Sequence, residues 1–183
     1  MSRRAQLVLL CEDSQHEAFA RRFLKRMGWN RHRIRVEKAP GGRGSGEQFV
    51  RARFPLELGE HRRRHAAQAL VVMLDGDADG VDARVRGLDD ACTAKGIPAR
   101  RPGEPVAAFV PTWNIETWLA YLDGESVDEA RKDYPRLRPE RECGRHVKVL
   151  VAMCRDGKLR PPEPPSLVSA CEEYAARLRE VGR

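Results

Sequence analysis

The sequence has no apolar run long enough to cross a membrane, and its N-terminal apolar stretch, residues 7–11, is too short for a signal peptide. Its five cysteines are odd in number and include no Cys-x-x-Cys pair, which argues against a zinc site or a disulfide framework. No internal repeat is evident. We therefore expect reduced, mostly buried thiols, a cytoplasmic location and no membrane partner.

What the sequence does contain is charge. Its 183 residues are enough for one domain with a sizeable core, and 41% of them are hydrophobic. Charged residues make up 33% and the net charge is +7, which indicates an anionic partner, most simply nucleic acid. A basic surface that only aids solubility would give the same balance. An acidic cluster inside a basic protein suits an enzyme that binds phosphates and holds a metal among them.

The most informative stretch is an apolar run, residues 70–74, that ends in three alternate carboxylates, Asp75, Asp77 and Asp79, followed by Gly80. A short apolar run bounded by turn residues is typical of a buried parallel strand, whose carboxyl end is where ligands bind. Carboxylates so close together repel one another unless a cation neutralises them, and oxygen ligands favour Mg²⁺ or Mn²⁺. A solvated acidic turn is the alternative.

Other motifs share this pattern of aspartates. An EF-hand loop needs an acid at its twelfth position, but counting from Asp75 that position is Arg86, and a strand rather than a helix precedes it. The EF-hand is therefore excluded. Phosphatases and sugar-nucleotide transferases also carry an aspartate pair after a strand, and the sequence does not exclude either class.

A second buried strand is predicted over residues 6–11, and it also ends in acid, at Glu12. Ser14 is predicted to cap the following helix, with Glu17 completing a capping box. Because the carboxyl ends of parallel strands share one edge of a sheet, Glu12 is the expected partner of the aspartates. An isolated surface glutamate is the alternative.

The rest of the first 125 residues predicts an edge strand over 31–39, a helix over 47–67 interrupted near Pro55, a helix over 81–95 and a short strand over 106–110. Asn114 is predicted to cap a further helix. Glu116 follows that cap and either joins the metal site or interacts only with the helix dipole.

Two basic stretches are candidates for phosphate contacts. The glycine-rich loop over 40–46 lacks the Gly-Lys-Ser/Thr ending of a P-loop, so we predict a flexible loop whose Arg43 touches phosphate. The run Arg62, Arg63 and Arg64 is either a solvated helix face or a nucleic-acid backbone contact.

Beyond residue 125 the chain changes character. Residues 128–145 are highly charged and predicted to be mobile or poorly packed, residues 147–154 to be helical, and Ser166 to cap a last amphipathic helix. We therefore divide the chain into a catalytic domain over 1–125 and a helical C-terminal extension over 126–183 that packs on it.

The order strand–Glu, helix, strand, helix, strand–Asp-x-Asp, helix, strand resembles the Toprim domain of topoisomerases, primases and OLD-family nucleases. The matching positions are Glu12, Asp75 and Asp77, with Asp79 where topoisomerases often have another acid. The Gly-Ser-Gly loop and the Asn-Ile-Glu-x-Trp-Leu segment resemble small stand-alone Toprim-like proteins of prokaryotic defence loci. Over about residues 5–125, the resemblance implies an α/β fold with a Toprim-like (Rossmann-like), mainly parallel four-stranded sheet between helices, and Mg²⁺-dependent phosphoryl transfer.

The chain lacks the DNA-gate domain of a topoisomerase and the zinc and helicase-binding parts of a primase, which leaves a Toprim-type nuclease of an anti-phage defence system, with a possible ATPase partner. The resemblance implies that Glu12, Asp75 and Asp77 hold one or two Mg²⁺ or Mn²⁺ ions, or that Glu12 is the general base. Asp79 and Glu116 would either surround the residues that bind the first metal or bind a second metal, and Lys148 is the candidate for the downstream lysine of OLD-type enzymes. Two alternatives are a nucleotidyl- or sugar-transferase and a non-catalytic subunit that binds nucleic acid or an ATPase.

Overall fold

Four parallel strands form the centre of the protein, in a computed structural model that describes residues 6–41, 45–63 and 68–181. They are β1 (Gln6–Cys11), β2 (Ile34–Lys38), β3 (Gln68–Met73) and β4 (Val106–Phe109). In spatial order they run β2, β1, β3 and β4, each parallel to its neighbour. The mainly parallel four-stranded sheet predicted from the sequence is confirmed, with the predicted edge strand at one edge.

Six α-helices in the described residues flank the sheet, so the protein is α/β and Rossmann-like. The helices are α1 (Ser14–Arg26), α2 (Gly46–Arg63), α3 (Gly80–Ala94), α4 (Ile115–Leu122), α5 (Gly144–Asp156) and α6 (Pro165–Arg177). One face of β1, with Leu7 and Leu9, packs in a core with α1, α4, α5 and α6, and the other, with Val8 and Leu10, packs with α2 and α3. None of these helices combines the length and apolar character needed to cross a bilayer.

The order of the strands produces a switch point between β1 and β3. From β1 the chain crosses through α1 to β2 on one side, whereas from β3 it crosses through α3 to β4 on the other side. The loops that follow β1 and β3 therefore diverge, although the two strands are hydrogen-bonded neighbours. In open α/β sheets this crevice at the carboxyl ends is where ligands bind.

The C-terminal helices belong to the same core as the sheet. The ring of Tyr174 on α6 lies 5.2 Å from that of Phe23 on α1, which in turn lies 6.1 Å from Phe109 of β4. Leu167 and Leu178 are fully buried in the same cluster. The extension thus covers one face of the sheet.

The caps of two helices differ from those predicted. Asp13, not Ser14, caps α1, because its carboxylate accepts hydrogen bonds of 2.9 Å from the backbone N–H groups of Gln15 and His16. Ser166 lies inside α6 and makes no cap; its hydroxyl is buried and accepts a 2.7 Å bond from Trp118 Nε1. At α1 a neighbouring carboxylate takes the place of the Ser14 hydroxyl, and at α6 the Ser166 hydroxyl bonds a distant side chain instead of capping the helix.

The predicted interruption of helix α2 is wrong, whereas the prediction of a mobile or poorly packed segment over 128–145 is contradicted only at two buried positions and at the start of α5. Helix α2 runs without interruption through Pro55, because that ring is buried with Phe54 and Leu58 and the helix loses only one backbone bond there. Residues 128–143 form no helix or strand but are packed at two positions, since Tyr134 and Cys143 are buried. The hydroxyl of Tyr134 also accepts a 2.7 Å bond from the Asp128 backbone N–H.

Candidate functional site

Glu12 and Asp75 meet at the switch point of the sheet. Cys11, one position before Glu12, is the register partner of Met73, two positions before Asp75, so β1 and β3 leave the sheet side by side. The backbone N–H of Asp75 donates a 3.3 Å hydrogen bond to Glu12 Oε1. Parallel pairing thus brings together two acids that are 63 positions apart in the chain.

Helix α2 begins directly against Glu12. A Cβ placed on Gly46 would lie 2.7 Å from the Cβ of Glu12, so only glycine allows this approach. Ser45 caps the helix, because its hydroxyl accepts a 3.1 Å bond from the Gln48 backbone N–H. The positive end of α2 therefore faces the acid pair, a position that favours anions.

Among the described residues, His16 is the one cationic partner of Asp75, and it is not among the site residues predicted from the sequence. It is fully buried, with Nε2 3.0 Å from Asp75 Oδ1 and Nδ1 3.5 Å from Asp13 Oδ1. Burial lowers its pKa, but the hydrogen bond and charge of Asp75 outweigh burial and raise the pKa to about 9. The imidazolium therefore donates to Asp75. Its position four residues after Glu12, in the first turn of α1, is the signal that could have identified it.

Glu12 is held partly protonated near neutrality. Burial raises its pKa, the charge of His16 lowers it, and the charge of Asp75 raises it again, with a net pKa of about 7. His16 contacts Asp75 directly, so it only partly relieves the repulsion between the two acids.

Glu116 joins the same cluster from the first turn of α4. It is 4% exposed, its Oε1 has no hydrogen-bond partner in the described part of the chain, and the nearest cation is Arg136 Nε at 3.6 Å. Burial raises its pKa, and the charge of Asp75 adds to the shift. Among the described residues, Asn114 Oδ1 is likewise buried without a hydrogen-bond partner. Asn114 occupies the N-cap position of α4, but its side chain makes no capping bond.

The other two aspartates turn away from this cluster toward Arg84. The Arg84 guanidinium contacts Asp77, lies 3.6 Å from Asp79 Oδ2, and lies 3.4 Å from Glu47 Oε1. Asp77 and Asp79 are 60% and 63% exposed, whereas Arg84 is largely buried. The acids therefore form two groups, one around His16 and one around Arg84.

A short antiparallel bridge sets the direction of Asp77. Its N–H donates to the carbonyl of Trp113 at 3.0 Å, and the Trp113 N–H donates back at 3.1 Å. Both residues have positive backbone φ angles, 45° for Asp77 and 59° for Trp113, which residues other than glycine rarely adopt. A Cβ on Gly76 would lie 2.8 Å from the Pro111 carbonyl oxygen, so the two loops are tightly joined. Such strain clusters at functional sites.

The remaining candidate residues lie elsewhere. Arg62, at the end of α2, forms ion pairs with Glu104 (2.8 Å) and donates to the carbonyls of Pro98 and Ala99, near the amino ends of the strands. Arg63 pairs with Glu60 beside it.

Lys148 is exposed on α5, and no hydrogen bond or ion pair within the described ranges joins it to Glu12, Asp75 or Glu116. Arg43 and Arg64 lie outside the described residues.

The donor atoms of the cluster suit a hard cation. Glu12, Asp75 and Glu116 offer only carboxylate oxygens, and Glu116 Oε1 is buried without a hydrogen-bond partner among the described residues, with Arg136 Nε 3.6 Å away. Across residues 6–41, 45–63 and 68–181, however, no three His, Cys, Asp or Glu side chains are arranged as a ready metal site. His16 and Arg84 supply the positive charge instead.

These features define an α/β protein with a Rossmann-like parallel sheet and an acid cluster at its switch point. No protein-family model, curated protein or solved structure matches the chain.

Proposed function

We propose that the protein is a Toprim-type nuclease that hydrolyses phosphodiester bonds of nucleic acid with Mg²⁺ or Mn²⁺. The proposal is carried by one observation: Glu12 and Asp75, from neighbouring strand ends, meet at the switch point, and Glu12 has no ion-pair partner among the described residues. Acid pairs whose repulsion shifts a pKa are concentrated at binding and catalytic sites. The adjacent N-terminus of α2 supports a phosphate ligand at the same place.

Glu12 and Asp75 would hold the metal, with Glu116 contributing its unpartnered oxygen or orienting a ligand. Asp77 would join them once its contact with Arg84 is released, and Asp79 lies beside that contact. A bound divalent cation polarises the phosphate and lowers the pKa of an attacking water.

The other groups act on the substrate and on protons. The backbone N–H groups at the start of α2 would bind a phosphate oxygen, and Arg84 is positioned to compensate phosphate charge when it leaves Asp77. Glu12 alternatively accepts the proton of the water, a role that its pKa of about 7 suits. Lys148, exposed on α5, has no defined step in this scheme.

The test is degradation of plasmid DNA and of RNA with Mg²⁺, with Mn²⁺ and with EDTA. We expect cleavage that requires metal and is abolished in Asp75→Asn, while Asp90→Asn, an exposed acid on α3, cleaves like wild type. Cleavage that survives EDTA, or equal activity in the two variants, would contradict the proposal. A role in phage defence and an ATPase partner stay predictions from the Toprim resemblance.

A further inference from the structure

A basic cleft runs along the outer side of α1. It encloses about 270 Å³, and we call it the α1 cleft. A second hollow adjoins it and shares two of its cations. The cations that line the α1 cleft are Arg21, Arg22, Lys25, Arg31 and Arg141, and the adjoining hollow adds Arg26.

The positive charge of the α1 cleft is largely uncompensated. Among the described residues that line it, the only carboxylate is that of Glu17, which already pairs with Arg21 at 3.1 Å and with Lys38 at 2.7 Å. Within the described ranges, neither Lys25 nor Arg141 has an ion-pair partner, and both are exposed. Concave surfaces of one sign attract ligands of the opposite sign, so this cleft suits an anion.

The shape of the α1 cleft favours a chain of phosphates over a single one. Ser14, Ala18, Arg21 and Lys25 lie on one side of α1 at helical spacing and span about 16 Å at 1.5 Å per residue. That length exceeds the size of one phosphate group, so the cleft can contact successive phosphates of a nucleic-acid backbone. The exposed large apolar residues among those described, Leu56 and Val149, do not line the cleft, which disfavours a lipid surface.

The α1 cleft also leads to the acid cluster. Its lining begins at Ser14, two positions after Glu12, and the Ser14 hydroxyl accepts a 2.9 Å bond from Lys38 Nζ at the carboxyl end of β2. A polymer lying in the cleft would reach the switch point at this end of α1. By contrast, Arg62 is already engaged by Glu104 at the opposite edge of the sheet.

We propose that the α1 cleft binds the sugar-phosphate backbone of a nucleic acid and directs it to Glu12 and Asp75. The direction toward the acids rests on the proposed function, whereas the binding does not. Because the contacts are to phosphates, binding is insensitive to base sequence and weakens steeply with salt.

The test compares two variants with the same change in charge. Lys25→Glu with Arg141→Glu alters the α1 cleft, and Arg51→Glu with Lys95→Glu alters a cleft between α2 and α3. Binding of fluorescent single-stranded and duplex DNA and RNA oligonucleotides is measured by anisotropy in EDTA across a salt titration. We expect the α1 variant to lose at least about tenfold in affinity and about two units of salt slope, and the control to lose little.

Equal losses in the two variants would assign binding to net charge alone and overturn the inference, as would no loss in either. Anionic phospholipid vesicles form a further arm, and binding of vesicles but not oligonucleotides by the wild type would also overturn it. All four substituted positions are exposed, and thermal melts check that both variants fold.

The binding measurement and the cleavage assay together separate the proposed binding surface from the proposed nuclease activity. Binding that depends on the α1 cleft, together with no cleavage by the wild type in Mg²⁺ or Mn²⁺, leaves the binding surface standing and ends the nuclease assignment. Metal-dependent cleavage by the wild type, together with unchanged binding in the α1 variant, supports the nuclease assignment and overturns the binding surface.

Discussion

Glu12 carries a proton in the folded protein at pH values where the unfolded chain has lost it. Its pKa rises from 4.5 to about 7, first through burial and then through the charge of Asp75. The folded state is therefore favoured while Glu12 is protonated. Stability from this group is present below about pH 4.5 and is lost as the pH rises toward 7.

We therefore expect Glu12→Gln to stabilise the metal-free protein at pH 8. Allowing for its partial exposure, the gain is on the order of 2 kcal/mol and shrinks toward pH 4.5. Urea denaturation in EDTA at pH 5 and pH 8 measures it, with the exposed Glu163→Gln as control. A gain of the same size at both pH values would show that Glu12 is not a strained acid.

Gly46 is the second residue on which the site depends. Gly46→Ala places a Cβ against the backbone and Cβ of Glu12, with contacts of 2.7 Å and 3.1 Å that neither strand β1 nor helix α2 can relieve by a side-chain rotation. We expect a loss of about 1–3 kcal/mol in the free energy of unfolding, the usual cost of overpacking.

Gly41→Ala is the matched control, because a Cβ at Gly41 meets nothing within 4 Å. Denaturation curves of the two variants measure the difference. If both variants unfold at the same denaturant concentration, α2 does not begin as close to Glu12 as the structure has it.

At the scale of single residues, the sequence predicted part of the candidate site. Glu12 and Asp75 could be paired because each follows a buried strand, and strand ends meet at one edge. The turn of Asp77 toward Arg84 could not be foreseen, because it depends on the Asp77–Trp113 bridge between two loops. His16 was missed because its partner is distant in the chain.

At the scale of elements, strands were easier to predict than helix ends. The strands of a buried sheet carry a strong local signal, an apolar run bounded by turn residues. A cap depends on which of several neighbouring oxygens reaches the free N–H groups, and at α1 the Asp13 carboxylate outcompeted Ser14. Ser166 shows the same limit, because its partners are distant in the sequence.

The Ser166 hydroxyl joins α4, α6 and the segment between α4 and α5. It accepts bonds from Trp118 Nε1 at 2.7 Å and from the Thr112 N–H at 3.2 Å, and it donates to Glu129. Ser166→Ala leaves the buried Trp118 N–H without an acceptor, so we expect a loss of about 1–3 kcal/mol.

Ser169→Ala makes the same substitution three residues further along α6, outside this network, and should be neutral or slightly stabilising. Chemical denaturation of both variants, followed by tryptophan fluorescence, measures the contrast. Equal stability of the two would mean that the Ser166 network does not hold α4 against α6.

At the scale of the whole molecule, the periodicity of the sequence predicted the architecture but could not show how the C-terminal helices complete it. The amphipathic patterns of α5 and α6 indicate that each buries one side, and they do not indicate against what. The structure places both on the sheet face that α1 and α4 share, so residues after 125 supply part of the core of the preceding segment.

A chain of residues 1–125 alone would expose that face. Phe23, Phe109 and Leu119 would lose the cover of α5 and α6, leaving a contiguous apolar surface of a kind that soluble monomers rarely carry. We expect this fragment to aggregate or to melt without a cooperative transition, and co-expression with residues 126–183 to restore a soluble complex. Size-exclusion chromatography and thermal melts of the fragment, the complex and the full chain test this. A monomeric 1–125 fragment with a sharp melt would instead mean that the sheet and its first four helices form a complete domain, to which α5 and α6 are an addition.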